Sequence, residues 1–240
     1  MKLVINLKLL AKPRHCQALL ETMEAANAAC NRVSTVAWES KTFGQFKLHK
    51  LTYYPIRQEF CLTAQVAVRA IAKVADAYKL DRKSQRTFRP HGSVAYDDRI
   101  LRYLKEDRVS IWTMKGRQTI PYACGPRQRE LLAFRQGETD LVLRDNTFYL
   151  NVVVDVEEPP LLEAMDVLGC DLGIVNILAD SDGETYSGGV VSGLRKRHVK
   201  LRARLQKKDT HSSRRLLQKR RRRESRFAKD VNHYISKQVV

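Results

Sequence analysis

Asp171 stands in LeuGlyCysAspLeuGlyIleValAsn, residues 168 to 176, where an apolar run reaches the carboxylate and further apolar residues follow it. The run reads as a strand with Asp171 at its centre, the first of three strands in a meander over residues 165 to 188. A carboxylate in a buried strand costs several kcal/mol unless it is paired or ligates a metal. Gly169 and Gly173 on either side leave room for another group to come close. Asp171 is therefore the candidate catalytic and metal-binding residue. Asp180 and Asp182 offer the same chemistry, but AspSerAspGly at 180 to 183 reads as a hairpin turn, in which aspartates serve the backbone.

The second chemical feature follows directly. Between Arg195 and Arg226 the chain has 16 Lys or Arg against Asp209 and Glu224 alone, so 32 residues hold +14 of a total net charge of +18. The other 208 residues carry about +4. Such a density repels itself unless a polyanion neutralises it. The candidate nucleic-acid contacts are Arg195, Lys196, Arg197, Lys200, Arg202, Arg204, Lys207, Lys208, Arg214, Arg215, Lys219, Arg220, Arg221, Arg222 and Arg223. Of these, Arg214, Arg215 and Arg220 to Arg223 stand foremost for phosphate contact. Acidic lipid is the competing polyanion, yet the stripe offers only Leu194, Val199, Leu201, Leu205, Leu216 and Leu217 before Phe227, thin apolar cover for an interfacial helix.

Both features need a scaffold. KLVINLKL at the start alternates and reads as a strand. Leu19, Met23, Ala26, Cys30 and Val33 then lie on one face of a helix from about 14 to 36, and Phe60, Ala64, Ala67, Ile71, Val74 and Tyr78 on one face of another from about 56 to 79. The two stripes most simply pack as an antiparallel pair inserted after the first strand. Trp38, Phe43, Phe46, Tyr53 and Tyr54 fall in the connection, beside Lys41, Lys47, His49, Lys50 and Arg57. They read first as local core, with stacking on nucleotide bases as the alternative. From Lys83 to Glu158 the period becomes two, in short runs at 100–104, 109–114, 119–123, 130–134, 140–143 and 147–156, which is the pattern of a small antiparallel barrel or sandwich. Glu157, Glu158, Pro159 and Pro160 mark a boundary. The expected organisation is a β domain from 1–12 and 83–158, a helical insertion at 13–82 and a further domain at 159–240.

Composition excludes several classes. With 240 residues and 43% hydrophobic content the chain can build a core and is not disordered. No apolar stretch is long enough to span a membrane and the N-terminus has no secretory h-region, so a cytoplasmic location is expected and no membrane partner. Five cysteines with no CxxC pair give neither a disulfide framework nor a zinc site. Leu194 and Arg195 occupy the positions where a phosphate loop needs Lys and Ser or Thr, and the six histidines are scattered. Oligomeric state is not legible.

The string LeuGlyCysAspLeuGlyIleValAsn with SerAspGlyGlu resembles the first catalytic motif of the RuvC-like nuclease domain in the TnpB (OrfB) proteins of bacterial insertion sequences, relatives of type V CRISPR effectors. The order of strand, helical insertion with LeuThrAlaGlnValAlaValArgAlaIle, β-rich return, RuvC strands and basic helices is similar to that family over the whole chain. The resemblance implies an α+β protein: a small, wedge-like antiparallel β barrel with an inserted helical pair, then an incomplete RNase H-like (RuvC) α/β domain with long basic helices. It implies a guide RNA and target DNA as partners and Asp171 as the first of three carboxylates that bind two Mg²⁺ or Mn²⁺ ions for phosphodiester hydrolysis. The second motif, a glutamate strand, and the third, an aspartate after a zinc ribbon, have no counterpart here, so the chain is expected to be a truncated member, inactive alone. Alternatives are a nuclease-inactive RNA-guided DNA-binding repressor and a plain RNA-binding protein. AspLeuGlyIleValAsn also looks like the first phosphate loop of actin-like ATPases, but no second phosphate loop follows.

Overall fold

A computed structural model describes residues 1–158, 160 and 166–239. Pro159 of the expected boundary, Met165 of the expected meander and Val240 lie outside the described residues. The chain forms two compact units, Met1–Pro159 and Pro160–Val240.

In the first unit, β1 (Lys2–Leu9) buries Ile5, Leu7 and Leu9 on one face, as its alternation requires. Helix α1 (Pro13–Glu39) starts with a proline in its first turn, where a missing N–H costs nothing. It buries Leu19, Met23, Ala26, Cys30 and Val33 along one stripe. The expected helix from residue 56 is corrected: two helices stand there, α2 (Gln45–Glu59) and α3 (Ala64–Leu80), so the insertion is a trio and the connection is itself helical. Cys61, at a φ of 51°, reverses the chain between them. Phe60 is half-buried and Ala64 exposed, so the apolar stripe of α3 starts at Val66.

Strands β2 (Val94–Tyr96), β3 (Leu101–Leu104), β4 (Arg108–Thr113), β5 (Gly116–Ala123), β6 (Arg135–Arg144) and β7 (Thr147–Asp155) join β1 in one antiparallel sheet, ordered β2-β6-β7-β1-β5-β4-β3. The first strand sits at its centre, pairing β7 from Lys2↔Asp155 to Lys8↔Tyr149 and β5 at Lys8↔Ala123. The sheet is nearly closed, and Tyr103 on β3 reaches Thr139 on β6 through a 3.1 Å hydroxyl pair. Asp145 and Asn146, at φ 48° and 60°, make the tight β6–β7 turn. The expected strand at 130–134 is instead α4 (Pro126–Leu132). Pro126 sits in its first turn, and the Gly125 N–H donates to Gln128 Oε1 at 2.9 Å, closing the helix start.

Residues 81–93 have no regular ladder, and α1 supplies their partners. Asn27 donates to the carbonyls of Pro90 and Gly92 at 3.0 and 2.9 Å and accepts from Lys73 Nζ at 2.8 Å. Asn31 exchanges two hydrogen bonds with Phe88, and Ser34 donates to the Arg86 carbonyl at 2.6 Å. Asn27, Asn31 and Ser34 fall at i, i+4 and i+7, so one helical line satisfies a segment that would otherwise bury unpaired backbone. A single apolar core runs through α1, α2, α3 and the sheet, from Ile5 to Val154.

The second unit opens with a three-stranded meander, β8 (Cys170–Asp171), β9 (Asn176–Asp180) and β10 (Thr185–Ser187), with β9 in the middle. Helices α5 (Gly189–Lys208), α6 (His211–Arg220) and α7 (Arg223–Val239) follow. Among the described residues of this unit only Leu178, Leu205 and Ile235 are buried hydrophobics.

Candidate carboxylate and nucleic-acid interface

Asp171 ends the two-residue strand β8 and faces Ala179 across the ladder to β9, with Cys170 opposite Asp180. The side of the strand it occupies is open. Asp171 is exposed, and so are Leu172, Ile174 and Val175 behind it, at 75%, 89% and 81%. The expectation of a carboxylate in a buried strand is therefore corrected: water reaches Asp171, and desolvation gives it no reason to seek a cation.

The two glycines differ. A side chain at Gly173 would stand 2.9 Å from the Asn176 carbonyl oxygen, so the turn after Asp171 closes only over a glycine. Gly169 meets Ser181 at ordinary distance and instead exchanges hydrogen bonds with it, its N–H donating to Ser181 Oγ at 3.1 Å. Gly188 has the tighter approach, with a side chain falling 2.8 Å from the Ile174 carbonyl, while its N–H donates to Val175 at 2.8 Å. Asp180 caps the β9–β10 turn, accepting from the Glu184 N–H at 2.8 Å, and Gly183 takes a φ of 92°.

The fit of a divalent ion can be judged from the donors. Among the described residues no three His, Cys, Asp or Glu side chains converge on one point. Mg²⁺ takes six oxygens and keeps several as water, and a hydrolytic pair of ions needs shared carboxylates. Asp171, with no such cluster around it among the described residues, does not fit that group.

The basic stretch is arranged differently. Helix α5 buries Leu205 and carries Arg195, Lys196, Arg197, Lys200, Arg202, Arg204, Lys207 and Lys208 in exposed positions. Asp209 ends it at a φ of 41°, and Thr210 begins α6 by accepting the Ser213 N–H at 3.2 Å. Arg214, Arg215, Lys219, Arg221, Arg222 and Arg223 are exposed, and Arg220 is half-buried. The two acids of the stretch are already engaged. Glu224 on α7 accepts from Arg195 at 3.2 Å and Arg202 at 3.5 Å. Asp209 takes a two-pronged contact from Arg214, both at 2.8 Å, which holds its carboxyl below the usual range. Thus no carboxylate within this stretch is left to oppose an anion. A cavity of about 400 Å³ lies against α5 and α6, floored by Leu201, Leu205 and Leu217.

Of the aromatics expected in a connection, Phe43 packs on Tyr78, with ring centroids 4.7 Å apart, and Trp38 lies under Lys41. Phe46 and Tyr54 point to solvent from α2. Only their helical register separates them from core aromatics, and a loop reading loses that signal. Among the described residues no helix is long and apolar enough to cross a membrane.

Neither protein-family profiles nor the sequences of curated proteins match this chain. It is similar to several solved structures, among them two Cas12f complexes. One is a cryo-EM structure of a CRISPR-Cas12f ternary complex, at 12% identity and a TM-score of 0.38, over 81% of this chain and 53% of that one. The other is a Cas12f1–sgRNA–target DNA complex, at 12% identity and a TM-score of 0.37, over 100% of this chain and 71% of that one. The chain thus spans about half the length of the first.

Proposed function

We propose that this chain is a nucleic-acid-binding protein of the RNA-guided nuclease type, related to TnpB, that holds a guide RNA and a DNA target and does not cut DNA by itself. The observation that carries the binding half is the density of exposed Arg and Lys on α5, α6 and their junction with α7, with the acids of the stretch already paired. Polyanions of closely spaced phosphates match such a surface, and the counterions they release drive association. The fifteen Arg and Lys side chains from Arg195 to Arg223 are each proposed to meet backbone phosphate. A strand-borne Asp171 inside LeuGlyCysAspLeuGlyIleValAsn supports the nuclease kinship, and the absence of three converging ligands among the described residues supports binding without hydrolysis.

Expression of the chain with a TnpB-type guide RNA, followed by purification and incubation with Mg²⁺ and matching DNA, tests both halves. RNA should co-purify equally with wild type and Asp171→Ala, and the DNA should stay intact. DNA cutting that disappears in Asp171→Ala would overturn the inactive half. Failure to retain any RNA or DNA at low salt would overturn the whole proposal.

A further inference from the structure

Helix α2 carries a second surface with nucleic-acid chemistry, far from the basic stretch in sequence. Phe46 is 87% exposed, Tyr54 76% and Leu51 50%. Phe46, Lys50 and Tyr54 fall at i, i+4 and i+8, one line along the helix, with Lys47 exposed beside them. At a rise of about 1.5 Å per residue, the two rings stand roughly 12 Å apart along the axis.

The Tyr54 ring is held through its neighbours. His49 stacks on Tyr53, centroids 4.5 Å apart and 20° from parallel. Arg57 lies 5.3 Å over Tyr53 and donates to its hydroxyl at 3.2 Å. Tyr54 meets Tyr53 edge-on, 5.1 Å away at 77°. Tyr54 therefore presents a positioned ring to solvent. The one acid of α2, Glu59, pairs with Arg32 at 3.5 Å. The outer face is aromatic and cationic, without a carboxylate.

We propose that this face is a stacking platform for an unpaired strand of nucleic acid, with Phe46 and Tyr54 each taking a base and Lys47 and Lys50 the phosphates. Open aromatic faces accept any base, and lysines match the backbone between them. Two lysines at the heart of the patch disfavour a protein partner, because protein interfaces are depleted in Lys at their cores. A duplex keeps its bases stacked on each other and offers no free face, so the platform discriminates for single strands. The partner class is that of the preceding proposal, but the residues are different, so either can fail alone.

The test measures binding of the full chain to a labelled twelve-nucleotide oligothymidylate and to a duplex of the same length. Both rings are exposed, so Phe46→Ala and Tyr54→Ala leave the fold intact. Each should weaken the single strand by about 5- to 150-fold, the equivalent of about 1–3 kcal/mol per stacked base, with duplex affinity within about twofold. Phe46→Trp should retain single-strand binding. Unchanged single-strand affinity in both Ala variants overturns the platform, and equal weakening of strand and duplex overturns it as well. Sedimentation of the same variants is decisive for the remaining occupant: a wild-type dimer that Phe46→Ala converts to monomer makes the face a self-interface and overturns the proposal. A steep salt dependence that survives in every variant leaves the basic-helix proposal standing.

Discussion

Lys219, Arg221 and Arg223 sit exposed where α6 gives way to α7. If each meets one phosphate of a duplex, it contributes about 0.9 to the slope of log affinity against log salt, which at about 0.1 M salt is roughly eightfold in affinity. The triple change Lys219→Ala, Arg221→Ala, Arg223→Ala should then flatten the slope by about 2.7 and weaken binding at that salt by about 500-fold. Exposed side chains of this kind affect folding by no more than about 0.5 kcal/mol, so the unfolding midpoint should hold. A matched control removes the same charge elsewhere, at Lys2, Lys8 and Lys105, all exposed in the first unit. Fluorescence anisotropy of a labelled duplex, titrated from about 50 to 300 mM salt, reads both slopes. Equal loss in the two triple variants would show that net charge alone attracts the duplex and that the basic helices do not clamp it. A slope change under about one unit in the helix variant, with its midpoint intact, would refute the phosphate contacts directly.

Three further outcomes follow from the packing. Asn27→Leu strands the Pro90 and Gly92 carbonyls and takes an acceptor from Lys73, so urea unfolding should show a loss of about 3 kcal/mol or more. Gly188→Ala forces a side chain against the Ile174 carbonyl and should cost about 1–3 kcal/mol, read as faster hydrogen exchange at β9 and β10 with the first unit unchanged. Burial pushes the Cys30 thiol up to about 11, above its unfolded value, so its contribution is full below about pH 9 and is lost as pH rises through about 11. Wild type should lose about 2–3 kcal/mol more than Cys30→Ala over that interval, and thiol reagents at pH 8 should label Cys61 and Cys170 before Cys30.

Where a face was wide and uniformly apolar, its element was legible from the chain. The stripes of α1 and α3 and the alternation of β1 and β7 are of that kind. Helix α2 escaped because its buried line is Leu48, Thr52 and Ile56, one residue wide, polar at its centre and interrupted before Ile56 by Pro55, which suggests a break. Short β2 and the helical turn of α4 leave too few residues for a period to register. The row Asn27, Asn31 and Ser34 looks like polar residues spoiling an apolar stripe, because its partners lie 52 to 65 residues away. At the candidate site, it could be read locally that Asp171 lies in a strand, but not that it ends a two-residue strand instead of standing at the centre of a longer one. Its exposure could not be read either, since burial depends on what covers a strand and not on the strand itself.

The second unit has only three buried hydrophobics among its described residues, while its helices carry most of the protein's charge. Salt should consequently act with opposite signs on its two states. In the free chain, added ions screen the repulsion between like-charged helices and favour the folded arrangement. In the proposed complex, the same ions compete for phosphate and release the nucleic acid. A ligand present at about 100 times its Kd adds about 2.7 kcal/mol to whatever binds it, which is a large share of what so small a core can supply. Nucleic acid would thus act on this unit as a structural cofactor, and low ionic strength, the condition that tightens the complex most, would be the one in which the empty unit is least able to stand by itself.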